Sequence, residues 1–291
     1  MIEERHYTVR GVRTRVLVAG DSEAPPILLL HDGGWGASAD MSWESMIPIL
    51  AQDRRVIAPD LIGYGGTDKI YNFAASTVTV QIEHVLALLD ELGIISLPFV
   101  GSSFGGTMTI RALTDPNYRR RISAAVTLGG TGGPWKTPKA PAELTRFDGT
   151  REDMRRLVRL LGIDDQDSDY VDRRLAWSHV PGHYETMSAP RLTVPDAIRR
   201  SVPVNDFPKS LRGVNVPTLI IHGVEDDLLE PDWGEHLASE LTDARIEILP
   251  AGHCPNVTMP ERTAEIIHTF LTDCALQRLA SARMTHQPNK D

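Results

Sequence analysis

The stretch Val100-Gly101-Ser102-Ser103-Phe104-Gly105-Gly106 decides how this chain of 291 residues folds. An apolar run at residues 94–99 precedes it and a helical pattern at residues 107–113 follows it, which predicts a strand, a sharp turn and a helix. Only Ser103 has glycine both two residues before and two residues after it. Side chains at those positions of such a strained turn would collide with the neighbouring strand and helix. The Ser103 hydroxyl is therefore expected at a helix N-terminus, where free N–H groups stabilise developing negative charge.

Strand and helix patterns alternate on either side of this turn. Continuous apolar runs at residues 26–30, 55–60 and 122–128 are typical of strands that are buried on both faces. A further strand is predicted at residues 13–19, and helical patterns occupy residues 42–51 and 77–92. This order predicts an α/β fold in which helices flank a mostly parallel central sheet.

The pattern changes near residue 130 and returns near residue 216. Residues 131–208 contain many prolines and amphipathic helical segments, and they are too long and too patterned for a structureless loop. A strand at 216–222, a helix at 232–241, a strand at 244–249 and a helix at 260–279 are predicted beyond them. We therefore predict a core of residues 1–130 and 209–280, an inserted helical cap of residues 131–208, and a polar C-terminal tail of residues 281–291.

Composition excludes several classes of function. The net charge of −9 argues against a nucleic-acid-binding protein and offers no basic surface to anionic lipid. No apolar run reaches the length of a membrane span, and the N-terminus has no secretory pattern. Cys254 and Cys274 do not make a disulfide framework, so a cytoplasmic protein is expected. The expected partner is a small-molecule substrate, without nucleic acid or membrane, and a homo-oligomer is left open.

Polar residues follow four of the predicted strands. They are the loop at residues 31–34, Ser103, the pair Asp226 and Asp227, and His253. The carboxyl ends of parallel strands meet at one edge of a sheet, so these groups are expected to lie close together. A serine nucleophile needs a histidine that takes its proton and a carboxylate that orients the histidine. We predict Ser103, His253 and Asp226 in these roles; the register of the motif favours Asp226, and Asp227 is the alternative.

The same chemistry needs two N–H donors aimed at the developing oxyanion. The N–H of Phe104, directly after the nucleophile, is predicted to be one, and Gly33 in the glycine-rich loop is favoured for the other. His31 is predicted to pack its own loop. No His-Glu-x-x-His or paired-cysteine spacing indicates a metal site.

With these residues in view, the chain resembles the α/β-hydrolase family over nearly its whole length. The resemblance rests on the Ser103 turn and on residues 28–36, 56–65, 223–231 and 251–253. Within that family the chain is similar to the meta-cleavage-product hydrolases, which split a C–C bond in ring-fission products of aromatic catabolism. The closer likeness lies in the glycine-rich loop, in residues 128–133 and in cap segments 152–157, 171–174 and 181–182.

The resemblance implies an α/β-hydrolase fold with an inserted cap and a cofactor-free serine hydrolase that cleaves a C–C bond next to a ketone. In that family a cap arginine binds the carboxylate end of the substrate. Arg173 is the best positional match and Arg174 is its neighbour. The likeness also implies substrate contacts for Gly34, Ser102 and Cys254.

Two positions depart from the family pattern. The family usually has asparagine where this chain has Ser102, and tryptophan where it has Cys254. Both family residues help to position the dienoate substrate. A carboxylic-ester or lactone hydrolase with the same triad is therefore the main alternative. A cofactor-free perhydrolase and a non-catalytic ligand-binding member of the fold are further alternatives.

Overall fold

The computed structural model describes residues 1–195, 198 and 206–285, except the side chains of residues 281–285. Within this part of the chain, eight strands form one sheet: β1 (Glu3–Val9), β2 (Val12–Ala19), β3 (Pro26–Leu30), β4 (Arg55–Pro59), β5 (Leu97–Ser102), β6 (Ile122–Leu128), β7 (Thr218–Gly223) and β8 (Ala244–Leu249). Their order across the sheet is β1-β2-β4-β3-β5-β6-β7-β8. The six strands from β4 to β8 run parallel, which confirms the predicted sheet.

Strand β1 is absent from the sequence prediction. It pairs antiparallel with β2, which in turn pairs antiparallel with β4. Most residues of β1 are exposed, so the segment lacks the apolar run by which the buried strands were recognised. Its place comes from pairing with Val12 to Val18 of β2 at the edge of the sheet.

Helices cover the sheet. They are α1 (Ala39–Trp43), α2 (Ile47–Leu50), α3 (Thr77–Glu91), α4 (Phe104–Ala112), α5 (Pro116–Arg119), α6 (Ala140–Thr145), α7 (Arg151–Leu160), α8 (Ser168–Ser178), α9 (His183–Ser188), α10 (Trp233–Ser239), α11 (Pro255–Thr258) and α12 (Pro260–Thr285). None of the helices in residues 1–195 and 206–285 is long and apolar enough to cross a membrane.

Three helix bounds differ from the prediction. The helix expected at residues 42–51 is two short helices, because Pro48 lacks the N–H that a continuous helix would require there. Helix α4 starts at Phe104, three residues early, directly after the Ser103 turn. Helix α12 runs to Thr285, since alanine, arginine and methionine near its end favour helix. The predicted tail is thus helical for its first five residues, and residues 286–291 lie outside the described part.

The core occupies both faces of the sheet. Alternate residues of β3 divide between them: Leu28 and Leu30 face a cluster with α3 and α4, whereas Ile27 and Leu29 face a cluster with α1, α2 and α12. Burying such a side chain contributes roughly 1.5–3 kcal/mol. Because both faces are filled mainly by apolar side chains, the strand ends are the part of the sheet where polar groups can meet a ligand.

The insertion between β6 and β7 contains four helices, α6 to α9, in its described part. It is tied to loops at the carboxyl ends of β3 and β4. His183 of α9 accepts the Gly36 N–H at 3.1 Å through Nε2, and its Nδ1 lies 2.9 Å from the Gly63 carbonyl oxygen. The far end of the predicted cap (residues 196–197 and 199–205) lies outside the described residues. These ties hold the insertion against the strand ends that carry the candidate site.

Candidate active site

The turn at Ser103 has the strained backbone that the glycine pattern predicts. Ser103 adopts φ 51° and ψ −107°, between the last residue of β5 and the first residue of α4. A Cβ at Gly101 would lie 2.2 Å from the Gly105 carbonyl, and one at Gly105 would lie 2.2 Å from the Leu30 carbonyl oxygen. Both glycines are therefore steric requirements of the turn. The Ser103 N–H donates to the Leu128 carbonyl at 2.7 Å, which anchors the turn to β6.

Three side chains from separate strand ends form one hydrogen-bonded chain. The Ser103 Oγ lies 2.8 Å from His253 Nε2, and His253 Nδ1 lies 2.7 Å from Asp226 Oδ2. The second oxygen of Asp226 accepts the Leu228 N–H at 2.9 Å. The Asp227 side chain is 80% exposed and lies near a lysine instead. The structure thus brings Asp226, and not Asp227, to His253.

Charge at this site is arranged to keep the carboxylate ionised. Burial by itself raises the pKa of Asp226, but the adjacent His253 and the hydrogen bonds outweigh burial and leave this pKa below its ordinary value. An ionised Asp226 holds the proton of His253 on Nδ1, so Nε2 is free to accept the Ser103 proton. The arrangement can therefore activate a serine hydroxyl.

Two backbone N–H groups beside Ser103 have no acceptor in the described protein. They belong to Gly33 and Phe104. A Cβ at Gly33 would lie 2.7 Å from the Phe104 Cβ, so glycine lets the two backbones approach. Gly33 and Phe104 border the same cavity as Ser103 and His253. Both predicted donors are thus available to an oxygen bound in front of the serine.

The space in front of Ser103 has two parts. A large cavity of about 1260 Å³ contains the serine, and a smaller, mostly apolar one of about 440 Å³ adjoins it. Trp35, Tyr71 and Met187 are among the residues that line the smaller cavity. Both cavities share five residues of their walls: Gly33, Tyr64, Phe104, Lys136 and Leu144. Gly34 borders the larger cavity, as the sequence predicts.

Ser102 and Cys254 lie behind the walls of these two cavities. The Ser102 hydroxyl donates to Asn256 Oδ1 at 3.0 Å, and Asn256 Nδ2 donates to the Ser42 carbonyl at 2.8 Å. Cys254 is fully enclosed, and burial raises the pKa of its thiol, so the sulfur stays neutral. Contrary to the implied substrate contacts, both residues pack the base of the site, because each is turned into the core.

The structure does not bring Arg173 to either cavity. Arg173 lies on the outer side of α8, where its guanidinium contacts Glu44 at 2.5 Å. Arg174 is turned inward and is only 1% exposed. Its guanidinium lies 2.7 Å from Asp32 Oδ1, and its Nε donates to the Trp35 carbonyl at 2.9 Å. Successive residues of an α-helix face directions about 100° apart, so the neighbours Arg173 and Arg174 have different surroundings.

The alpha/beta hydrolase family model matches residues 27–266 of the chain. This chain belongs to the alpha/beta hydrolase family. It is 30% identical over 276 residues to the 2-hydroxy-6-oxo-6-(2'-aminophenyl)hexa-2,4-dienoic acid hydrolase of Metapseudomonas resinovorans, covering 92% of this chain and 91% of the relative. It is 27% identical over 277 residues to the 2-hydroxymuconate semialdehyde hydrolase of Pseudomonas sp. strain CF600, covering 92% and 94%.

A solved structure is similar over the same extent. The meta-cleavage product hydrolase of Pseudomonas fluorescens IP01 superposes with a TM-score of 0.80 at 27% identity, covering 92% of this hydrolase and 97% of the other chain. Sequence and fold thus agree on the family. Within the described residues of this hydrolase, no group of three His, Cys, Asp or Glu side chains could hold a metal ion.

Two features of this hydrolase escaped the sequence analysis. Asp32 stands in the quoted glycine-rich loop, yet nothing in the sequence pairs it with Arg174, 142 residues away. Lys136 lies in the segment after the predicted strand 122–128, well beyond the Ser103 motif. Its position in the sequence therefore did not indicate that it borders the cavity. The sequence signal for the pair of Asp32 and Arg174 was a carboxylate inside a glycine-rich loop. The sequence held no signal for the position of Lys136.

The buried pair of Asp32 and Arg174 makes a testable contribution to stability. Burial raises the pKa of Asp32, but the adjacent Arg174 outweighs burial and lowers it well below its ordinary range. Asp32 Oδ1 also accepts the Gly34 N–H at 2.8 Å. Asp32→Ala would leave Arg174 buried without a counter-charge. We expect the free energy of unfolding, measured by urea denaturation, to fall by about 3–5 kcal/mol.

Two controls accompany this prediction. Asp227→Ala removes an exposed carboxylate that lies 3.7 Å from Lys139, and it should cost less than about 1 kcal/mol. Adding Arg174→Met to Asp32→Ala removes the stranded charge, and most of the lost stability should return. A loss in Asp32→Ala no greater than that in Asp227→Ala would contradict the prediction.

Proposed function

We propose that this hydrolase cleaves the C–C bond next to a ketone in a meta-cleavage product of the 2-hydroxy-6-oxo-dienoate type, without a cofactor. Ser103, His253 and Asp226 are the catalytic residues of the proposal. The observation that carries it is the hydrogen-bonded chain of these three side chains at the base of a two-part cavity. Relatives that cover more than nine-tenths of the chain bear the names of such hydrolases.

The first proposed step converts the dienol into its keto form. His253 Nε2 takes the proton of the 2-hydroxyl group and returns it to C5, which becomes a CH₂ group. This step is needed because the dienol has no acceptor for the electron pair of the bond to be broken. In the keto form that pair can be delocalised onto the oxygen at C2. A histidine with one free ring nitrogen suits such a transfer.

The second step breaks the C–C bond. Ser103 Oγ attacks the ketone at C6 while its proton passes to His253. The oxygen at C6 becomes negative and accepts the N–H groups of Gly33 and Phe104. The carbonyl then re-forms and the bond between C5 and C6 breaks, with its electron pair entering a dienolate. His253 returns the proton to the dienolate oxygen, so 2-hydroxypenta-2,4-dienoate leaves and an acyl group stays on Ser103.

The third step hydrolyses the acyl group. A water molecule donates a proton to His253 Nε2 and attacks the acyl carbon, and the same two N–H groups hold the oxyanion. The proton returns to Ser103 Oγ as the ester bond breaks, which releases a carboxylic acid and regenerates the serine. One water is consumed in the whole reaction. Buried Asp226 stabilises the charged His253 in every step.

The surroundings of the cavity suit a substrate with one acidic and one apolar end. The smaller cavity is mostly apolar, and the larger one includes the cations Arg111 and Lys136 in its wall. We further propose that the reaction takes place in the cytoplasm, because Cys254 and Cys274 are unpaired thiols and a reducing compartment keeps thiols in that state.

A carboxylic-ester or lactone hydrolase is the second candidate. It is favoured by Ser102 and Cys254, which stand where the family usually has asparagine and tryptophan. Ester cleavage needs the triad and the oxyanion donors, but it needs no keto form and no groups that position a dienoate. The same serine, histidine and aspartate would serve it.

A comparison of two substrates, assayed separately, tests the proposal. The purified protein is given 2-hydroxy-6-oxo-6-phenylhexa-2,4-dienoate, whose conjugated chromophore disappears on cleavage, and separately 4-nitrophenyl butyrate. We expect loss of the chromophore, with benzoate and 2-hydroxypenta-2,4-dienoate formed in equal amounts, and kcat/KM at least about a hundredfold above that for the ester, or about 2.7 kcal/mol. Ester turnover with an unchanged chromophore would replace the proposal by its alternative.

A further inference from the structure

Arg174 is not available to a substrate. Its guanidinium is satisfied on three sides by protein: Asp32 at 2.7 Å, the Trp35 carbonyl at 2.9 Å and the Tyr170 hydroxyl at 3.1 Å. Its side chain is 1% exposed and does not border either cavity. A carboxylate could reach Arg174 only by displacing Asp32 from a buried pair. An acidic substrate therefore needs a different cation.

Two cations border the larger cavity in the described residues, Arg111 and Lys136. The Nε of Arg111 donates to the Gly132 carbonyl at 2.5 Å, and its guanidinium lies over the Phe207 ring at 4.0 Å. Arg111 is thus held against the protein through its Nε and the face of its guanidinium, and it stands at the eighth position after Ser103 along α4, about 12 Å up the helix axis. Lys136 borders both cavities, as Gly33 and Phe104 do.

The backbone of Lys136 is held in place next to the aspartate loop. Lys136 forms an antiparallel bridge with Leu229, three residues after Asp226. The preceding residue, Trp135, has a positive φ of 60°, which a bulky side chain seldom adopts. The Trp135 carbonyl accepts the Glu230 N–H at 3.0 Å. The surrounding contacts thus maintain a strained backbone at Trp135, and such strain is often found at functional positions.

The Lys136 ammonium has no carboxylate partner among residues 1–195 and 206–280. Lys136 borders both cavities and is exposed, yet the protein around it partly desolvates its charge, and this lowers the pKa of the lysine. A carboxylate brought next to it would supply the missing counter-charge. Lys139, on the same loop, has such a partner in Asp227 and borders neither cavity.

We propose that Lys136 binds the carboxylate of the substrate, in place of the cap arginine, and so selects acidic substrates whose reacting carbonyl lies at Ser103. The proposal rests on the proposed function for the dienoate itself, but the same selection applies to any acyl substrate with a terminal carboxylate. The apolar end of the substrate then occupies the remaining space, which includes the smaller cavity.

Paired esters test this selection independently of C–C cleavage. We compare 4-nitrophenyl hemiglutarate, which ends in a carboxylate, with 4-nitrophenyl pentanoate, which is neutral and of equal chain length. Lys136→Met should raise KM for the acidic ester about tenfold, leave its kcat within twofold, and leave both constants for the neutral ester unchanged. Lys136→Arg keeps the charge and should stay within about threefold of the original KM. Lys139→Met is the matched control and should change nothing.

The outcomes separate this proposal from the proposed function. Equal KM changes for both esters in Lys136→Met, or no change for either, would overturn the role of Lys136 even if the dienoate is cleaved. An unchanged dienoate chromophore together with the selective change for the acidic ester would overturn C–C cleavage and support Lys136. Where the dienoate is cleaved, its KM should follow that of the acidic ester. Melting temperatures of the three variants should match the parent, because the Lys136 and Lys139 side chains lie at the surface or open cavity.

Discussion

Ser103→Ala is expected to lower kcat about a millionfold, for the dienoate and for esters alike, because the variant lacks the hydroxyl that is proposed to form the acyl intermediate. The protein should remain folded, since the hydroxyl makes its one side-chain hydrogen bond to His253. The measurement is kcat from progress curves at high enzyme concentration. Labelling by a fluorophosphonate, followed by mass spectrometry, should find the label on Ser103 in the parent protein and none in the variant.

Ser102→Ala is the matched control, because it removes the same hydroxyl from the adjacent residue. Ser102 bonds to Asn256 behind the cavity, so this variant should keep its fluorophosphonate label and activity within about tenfold. It should lose about 1–2 kcal/mol of stability, because Asn256 Oδ1 is left without its donor. If Ser102→Ala abolished labelling and Ser103→Ala did not, the register of the nucleophile would be wrong.

Asp226→Asn is expected to lower kcat about ten-thousandfold, because the amide no longer holds the His253 proton on Nδ1 and no longer stabilises the charged ring. The serine would then face a histidine in the wrong tautomer. The measurement is kcat over pH 6 to 9 with the best substrate. The loss should persist across this range, since no pH in it restores an ionised group at position 226.

Asp227→Asn provides the comparison. Its side chain is 80% exposed and lies 3.7 Å from Lys139 instead of meeting His253, so kcat should change less than about twofold. A loss in Asp227→Asn as large as that in Asp226→Asn would contradict the geometry of the triad. Circular dichroism of both variants should match the parent, which separates a catalytic loss from unfolding.

Most of the parallel sheet could be predicted because its strands are buried on both faces and appear as continuous apolar runs. Strand β1 could not, because most of its residues are exposed and its place depends on pairing with β2. The single helix expected at residues 42–51 is not formed, because Pro48 would stand in its interior. In the structure a new helix begins at Ile47, so Pro48 falls in the first turn, where proline is tolerated. Local sequence patterns thus predict strands and helices whose apolar residues are buried at regular intervals. They do not predict exposed edge strands or the exact points at which helices are interrupted.

The candidate triad was predictable for a similar reason. Ser103, Asp226 and His253 each follow a recognisable strand, and parallel strands bring their carboxyl ends together whatever their separation along the chain. The cap offers no such rule. Arg173 and Arg174 are neighbours in sequence, yet the rotation of α8 directs one to Glu44 near the surface and the other to buried Asp32.

By itself, the sequence determined the fold, the strained serine turn and the order of the three candidate catalytic residues. These depend on glycines without room for a Cβ and on apolar runs, which are local properties. Only the tertiary structure decided which aspartate meets His253, that Arg174 is taken by Asp32, and that Lys136 borders the cavity. Those outcomes depend on helix rotation and on contacts between loops that lie about a hundred residues apart, such as the bridge between Lys136 and Leu229.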